Sequence, residues 1–361
     1  MPQTAVSFVL TVYNKRRYLA EVLASVAAQE GSFECEVIIV DDGSTDGSRE
    51  LLESLGPRLP GFRLIAQPNQ GPSIATNRGL AAASMPLVKL LDGDDLLAPD
   101  ATQHLIDCMD CFGVEVMIGA GHLYRRGEKP YWPRPARSAP RLLPDPLGAL
   151  MRSIWFTPSN LLVRREVLRL SGGCDERVFV QDYSLALRLA RRCRFGVSDT
   201  LIVAAPDPVE IAADRLSANK AQILHDLNLA LLLFIEDHPD LPAHFRRRAW
   251  RRIAGRSWKW ARREVGRPLW SHELALCLGA HFPRGAHGKC REFLGTFAGG
   301  GRVRSGAESH AVHDPAGQEG EDARDHQAPV NNISIAMAML PDIVTAGVQH
   351  RQGQGDQDQD R

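Results

Sequence analysis

Four consecutive apolar, β-branched residues, Val37-Ile38-Ile39-Val40, run straight into Asp41-Asp42-Gly43-Ser44. A strand that is apolar at every position has no face to give to water. It belongs in the middle of a sheet covered on both sides, the setting of parallel strands joined by crossover helices. The surrounding pattern agrees: short apolar runs at residues 6–11, 62–66, 87–91 and 114–119 alternate with longer helical patterns. Leu19, Val22, Leu23 and Val26 recur at three- and four-residue spacing, as a helix packed on a sheet requires. Pro99 is read as the first-turn residue of the next helix, with Asp100 favourable to its dipole.

The chain of 361 residues is long enough for one large α/β core with an appended segment. Prolines at 130, 133, 135, 140, 144 and 146 predict that residues 121–146 hold little regular structure and form a loop over the site. Strand-like pieces at 160–163 and 201–204 flank a helix at 181–192, and the sheet is expected to end near Pro208. Residues 215–298 read as helical, and 299–361, rich in Gln, Gly, Asp and His, as disordered. The predicted organisation is therefore an α/β domain at 1–210, a helical region at 211–298 and a tail at 299–361.

Lysine plus arginine number 43, as do aspartate plus glutamate, so the overall balance gives no reason to expect nucleic acid. Seven scattered cysteines argue against a disulfide framework and suit a reducing cytoplasm; Cys108 and Cys111 lack a second such pair and read as buried or bystander thiols. The first residues carry no secretory pattern. The stretch 224–235 is broken by His225, Asp226 and Asn228 and is too short to span a bilayer.

In an open parallel sheet, ligands bind beyond the carboxyl ends of the strands. Three such ends are loaded with polar residues: Thr11-Val12-Tyr13-Asn14, Asp41-Asp42-Gly43-Ser44 and Asp92-Gly93-Asp94-Asp95. The last is the strongest signal, because consecutive carboxylates after a buried strand repel one another unless a cation or hydrogen-bond donors offset them. Mg²⁺ or Mn²⁺ would do so, taking one or two carboxylates together with the oxygens of a substrate diphosphate. An acidic turn capping the following helix is the alternative. DDGSTDGS likewise reads as a turn with an N-cap at Ser44 or Thr45, or as a carboxylate placed to accept from the imide of a uracil or thymine.

The segments TVYNKRRYL, VIIVDDGSTDGS, NQGPSIATNRG and LLDGDDLLAPD, with NLLVRREVLRLSGGCDE and QDYSLALRLA after them, resemble family 2 glycosyltransferases in order and spacing over residues 5–205. The resemblance implies the GT-A nucleotide-diphospho-sugar transferase fold, a mostly parallel sheet flanked by helices. It implies an inverting, non-processive enzyme using a UDP-, GDP- or dTDP-sugar, a hydroxyl acceptor (a glycan or a lipid-linked or cell-surface polysaccharide precursor) and a divalent cation. By the same resemblance Thr11 and Tyr13 lie beside the nucleotide, Asp42 meets the base and Arg78 the sugar or diphosphate. Asp94 lies near the ribose, diphosphate and metal, Asp95 is on the metal, and Asp182 is the general base. A helix-terminal acid stabilised by the dipole is the bland reading of Asp182.

Three positions depart from the family's pattern: Gln181 where an acid is usual, Thr76 where arginine is, and Cys174 where an aromatic is. The QxxRW signature of processive synthases does not follow Asp182, which favours transfer of a single sugar. No GxGxxG follows a strand, no glycine-rich phosphate loop follows the first strand, and neither HExxH nor GxSxG occurs. The rival from another class is a catalytically silent binding module. Residues 244–267 form a basic amphipathic helix with apolar stripe Trp250, Ile253, Ala254, Ser257, Ala261 and Val265. It reads as a solvated face packed on the core, a membrane-surface helix or a nucleic-acid patch. Tryptophan beside arginine favours an anionic lipid interface over nucleic acid, hence a cytoplasmic protein able to sit peripherally on the inner membrane face.

Overall fold

The computed structural model describes residues 4–125, 127–132, 139–207, 220–279, 290–292, 294, 295 and 297. The sheet is built outward from β1 (Ala5–Val12), which lies parallel between β2 (Glu34–Asp41) and β4 (Leu87–Asp92), with Val9 level with both Ile38 and Leu90. β3 (Arg63–Ala66) extends the parallel half beyond β2. On the other side of β4 comes β8 (Leu161–Arg164), antiparallel to it, then β6 (Val116–Tyr124) and the long β9 (Phe195–Pro206). β5 (Leu96–Leu97) and β7 (Arg141–Leu143) pair antiparallel with β9. The half expected from the crossover rhythm is parallel, and the second half is mixed. Leu161-Leu162-Val163 is covered on both faces and so carries no periodicity that would reveal its direction.

Alternation along the strands sends side chains to two cores. Phe8, Leu10, Ile39 and Leu91 pack under α1 (Arg16–Ala27) and α4 (Ala101–Phe112). Val9, Ile38, Val88 and Leu90 face the layer containing α5 (Pro146–Arg152), α6 (Arg165–Ser171) and α7 (Gln181–Ala190). On that side α3 (Pro72–Ala82) comes close enough to the sheet that a Cβ on Gly79 would lie 2.4 Å from Val9 Cγ1.

Helix starts differ slightly from expectation. α4 begins at Ala101 with Asp100 in the N-cap position and Pro99 before it. α2 (Ser48–Leu55) begins later than a cap at Ser44 or Thr45 would allow, because Asp46 Oδ1 takes the Ser48 N–H at 2.9 Å. The proline-rich span is more ordered at its ends than expected, with β6 running to Tyr124 and β7 starting at Arg141, while residues 126 and 133–138 lie outside the described residues.

α8 (Lys220–Asp237) and α9 (Ala243–Arg263) follow, then α10 (His272–Gly279). α8 and α9 bury Leu231, Phe234, Ile253 and Ala254 in the same core as α7. The three residues that interrupt the apolar stretch of α8, His225, Asp226 and Asn228, are buried and satisfied: Asp226 accepts from Phe179 N at 2.9 Å, and Asn228 donates to Ser257 Oγ at 2.9 Å. Of the expected stripe on α9, Ile253, Ala254, Ser257 and Ala261 are buried and Trp250 half-buried. Arg252 and Arg256, in the basic run around that stripe, are half-buried. No helix among the described residues is long and apolar enough to cross a membrane. The expectation for 299–361 lies outside the described residues.

Candidate active site

Three loops beyond the carboxyl ends of β1, β2 and β4 are stitched together by their own polar groups. Val12 O accepts from Asp42 N at 2.8 Å and Thr11 O from Gly93 N at 3.1 Å, which fixes the second and third loops to the end of β1. Asn14 has a left-handed backbone (φ 51°), a conformation asparagine tolerates better than most residues. Its N–H donates to Ser44 Oγ at 3.0 Å, and its Oδ1 accepts from Thr45 N at 2.8 Å. Lys15 N donates to Ser48 Oγ at 3.0 Å. Thr11 and Tyr13 stand half-buried on this junction.

Asp42 is 4% exposed and accepts three hydrogen bonds, from Gln67 Nε2 at 2.6 Å, Gln70 N at 2.8 Å and Gly71 N at 2.8 Å. Burial pushes its carboxyl up, against the pull of those donors. The carboxylate thus shapes the loop that enters α3 and has one acceptor position of Oδ2 still open, since Oδ2 takes only Gly71 N. Asp41, level with it in sequence, is engaged by Arg49 Nε at 2.9 Å and Ser44 N at 3.2 Å.

At the end of β4 the acidic run is concentrated. Asp94 and Asp95 are buried and Asp92 half-buried. Burial first, then the charges of Asp95, Asp94 and Asp182, hold the Asp92 carboxyl well above the ordinary carboxylate range, with Lys15 opposing them. Asp182, ninety positions further on in the first turn of α7, therefore shares the field of the β4 acids. Lys15 Nζ pairs with Asp94 Oδ2 at 2.5 Å. Beneath them Lys89 is fully buried in β4 and donates to the carbonyls of Leu90, at 3.1 Å, and Ser159. Burial brings its ammonium down to about 7 against the favourable charges of Asp95 and Asp92. The turn it holds returns Ser159 Oγ to the N–H of Asp92 at 2.9 Å.

Asp182 is half-buried, and its pKa is raised to about 6 by burial, opposed by the hydrogen bond from Tyr183 N at 2.7 Å. A carboxylate with that value is mostly ionised near neutrality and basic enough to accept a proton, the balance general-base work requires. Gln181 beside it accepts from Thr76 Oγ1 at 2.7 Å and donates Nε2 to Asp92 Oδ1 at 3.3 Å. Two departures from the family pattern, a hundred positions apart, thus touch each other: a neutral hydrogen-bonded pair stands where arginine and an acid are usual. The third, Cys174, is buried, and its carbonyl accepts from Asn77 Nδ2 at 3.0 Å. Arg78 is exposed, about 200° around α3 from Thr76, and so faces away from the acidic loops.

Among the described residues no three His, Cys, Asp or Glu side chains close on one point as a metal cage. The donor set is nevertheless all carboxylate, compressed and mutually repelling, which fits a hard cation that takes one or two carboxylates and fills its remaining positions from a diphosphate. Lys15, Lys89 and Ser159 were not singled out from sequence, and Thr76 and Gln181 were marked there as departures from the family pattern but not as a contacting pair. Of the first three, Lys89 alone carries a signal, a charge inside an otherwise apolar strand.

Residues 7–171 match the family model described as "Glycosyl transferase family 2". An uncharacterised glycosyltransferase of Nostoc sp. is 34% identical over 170 residues, 45% of this chain and 52% of the relative. The succinoglycan biosynthesis protein ExoO of Rhizobium meliloti is 35% identical over 114 residues, 31% of this chain and 32% of ExoO. The chain thus spans about half the Nostoc protein and a third of ExoO. Among solved structures, the mannosyltransferase PcManGT of Pyrobaculum calidifontis, in complex with GDP-Man and Mn²⁺, superposes with a TM-score of 0.51 at 18% identity, over 81% of this chain and 85% of that one. S. aureus TarS 1–349 with UDP-GlcNAc gives 0.50 at 18% identity, over 81% and 90%. These likenesses establish the fold.

Proposed function

We propose that the chain, whose residues 7–171 match the model of glycosyl transferase family 2, moves a single sugar from a nucleotide-sugar donor to an acceptor hydroxyl, with inversion and with Asp182 as the base. One observation carries the reading: Asp182, from a helix distant in sequence, acts electrostatically on the same carboxylate that Asp94 and Asp95 act on. A base and a diphosphate-type acidic loop at one place are what the transfer needs.

The donor's base and ribose would lie along Thr11 and Tyr13, with the open acceptor position of Asp42 Oδ2 turned to the base. Asp95 and Asp94 would hold Mg²⁺ or Mn²⁺, which when bound offsets the charge that develops on the departing nucleoside diphosphate. Lys15, already paired with Asp94, adds a cation on the same side. Asp182 takes the proton from the attacking hydroxyl on the face opposite the leaving group, and this placement gives inversion. Lys89 and Ser159 hold the β4 loop in place, and Gln181 orients Asp92. Arg78 has no part in this arrangement. The GDP-Man and UDP-GlcNAc complexes of the structural neighbours support a nucleotide-sugar donor. The names of relatives in succinoglycan and minor teichoic acid biosynthesis support a cell-envelope polysaccharide precursor as acceptor.

A silent binding module would be favoured if the neutral Gln181 had displaced the base. Gln181 is instead committed to Thr76 and Asp92, leaving Asp182 as the acid of the pair. Screening UDP-, GDP- and dTDP-sugars for cation-dependent hydrolysis tests the proposal. One donor is expected to turn over only with Mg²⁺ or Mn²⁺, and turnover of none would defeat it.

A further inference from the structure

α9 carries nine basic and no acidic residues between Ala243 and Arg263. Most of the cations face solvent, Arg247, Arg251, Lys259, Arg262 and Arg263 among them. Arg252 and Arg256 do not. They stand one helical turn apart, half-buried, and both act electrostatically on the buried Tyr183 of α7. Arg256 donates to Asn228 Oδ1 at 2.8 Å and also bonds the Tyr183 phenol. Arg252 Nε is buried and has no hydrogen-bond partner among the described residues.

Among the described residues neither guanidinium meets a carboxylate. Among the described residues the titratable groups that shift Arg256 are Tyr183 and the like-charged Arg252, and the one that shifts Arg252 is Tyr183. The acids of the neighbouring elements are committed elsewhere. Asp145 pairs with Arg248 at 3.0 Å, Asp226 with His225 at 2.7 Å, Asp237 with Arg177, and Glu236 with Arg291 at 2.5 Å. Burial lowers both guanidiniums, Arg256 to about 10. Two like charges drawn partly out of water without a counter-charge are costly, and a bound anion would offset that cost.

We propose that Arg252 and Arg256 form an anion subsite that takes a phosphate group of the acceptor. Each guanidinium offers five donors in a planar fork, so the pair retains several after Asn228 and Tyr183 are served, enough for a tetrahedral dianion. Tyr183, the residue both arginines act on, directly follows Asp182 in α7. An acceptor anchored here by its phosphate would lie beside the helix that carries the proposed base. This inference rests on Asp182 marking the acceptor side. The phosphate is carried either by a water-soluble sugar phosphate or by a lipid, and the recognition chemistry is the same.

Calorimetric titration of the full chain with inorganic phosphate in EDTA tests it, since without a divalent cation the acidic β4 loop repels phosphate. Saturable binding is expected, weakened at least tenfold by Arg252→Gln and further by Arg252→Gln with Arg256→Gln, while Arg251→Gln changes it less than twofold. Arg252→Gln removes no described hydrogen bond and so keeps a folded protein in the comparison. Glycerol 1-phosphate and phosphatidic acid vesicles in neutral lipid separate the two sources, and loss of either by Arg252→Gln supports the subsite. No saturable binding, undiminished binding by Arg252→Gln, or an equal loss by Arg251→Gln would overturn it, the last revealing only diffuse surface charge. Donor hydrolysis that survives such a failure leaves the proposed function standing. Phosphate binding without any cation-dependent donor turnover would sink the function and not the subsite.

Discussion

Replacing Asp182 with Asn removes the proposed proton acceptor while keeping the shape of the first turn of α7. General-base assistance is worth about 10²- to 10⁴-fold, and that loss is expected in kcat with donor affinity retained. In the wild type the group is pushed up to about 6, so kcat/KM should fall tenfold per pH unit below that value, and this limb should vanish in the variant. Stability should move the other way. Unfolded, the carboxyl ionises at its ordinary 3.8, and folded at about 6, so the native state binds the proton more tightly. Stability is therefore lost as pH rises through that window, and above it the full penalty remains, at most about 3 kcal/mol at roughly 1.4 kcal/mol per pH unit. The Asn variant should thus melt higher than wild type at pH 7.5 and about equally at pH 4. The assay pairs donor–acceptor turnover across pH with thermal unfolding at the two pH values. Unchanged turnover, or a variant that is both inactive and clearly less stable at pH 7.5, would refute the reasoning.

Gln181→Glu should set a second carboxylate against Asp92, now 3.3 Å from the Gln181 amide, and lower stability and activity together. Adding Thr76→Arg should recover much of the loss, and a double-mutant cycle in denaturant measures the coupling, expected at about 1–3 kcal/mol. Asp42→Asn replaces one of two acceptor oxygens with an NH2 that cannot accept from the donors facing it, with an expected cost of about 1–3 kcal/mol in chemical denaturation and weaker nucleotide binding. Gly79→Ala brings a Cβ to 2.4 Å from Val9 Cγ1 and should destabilise by about 1–3 kcal/mol without changing the pH dependence of turnover.

The parallel half of the sheet was legible because its strands are apolar runs ending in polar loops, and β1, β2, β3 and β4 lie where those runs predict. The antiparallel insertion of β8 was not legible, since direction leaves no mark on a strand buried on both faces. Strand-end logic pointed to the acids at 92–95 and 42. It could not reveal that Asp42 is already held by three donors, or that Arg78 turns away from the site, because both depend on how α3 docks. The Thr76–Gln181 contact joins residues a hundred positions apart through tertiary packing alone. In α8 and α9 periodicity marked the helices. It did not reveal the half-burial of Arg252 and Arg256, because a polar residue turned toward a core looks in sequence like a solvated one.

Transfer by the proposed route requires the β4 acids to hold a cation together with a donor diphosphate. Calorimetric titration of UDP-, GDP- and dTDP-sugars into wild type and Asp95→Asn, each with Mn²⁺ and with EDTA, reads this directly. One donor class should bind the wild type with Mn²⁺, bind at least tenfold more weakly in EDTA, and lose that difference in Asp95→Asn. Donor binding indifferent to both the cation and Asp95 would contradict it.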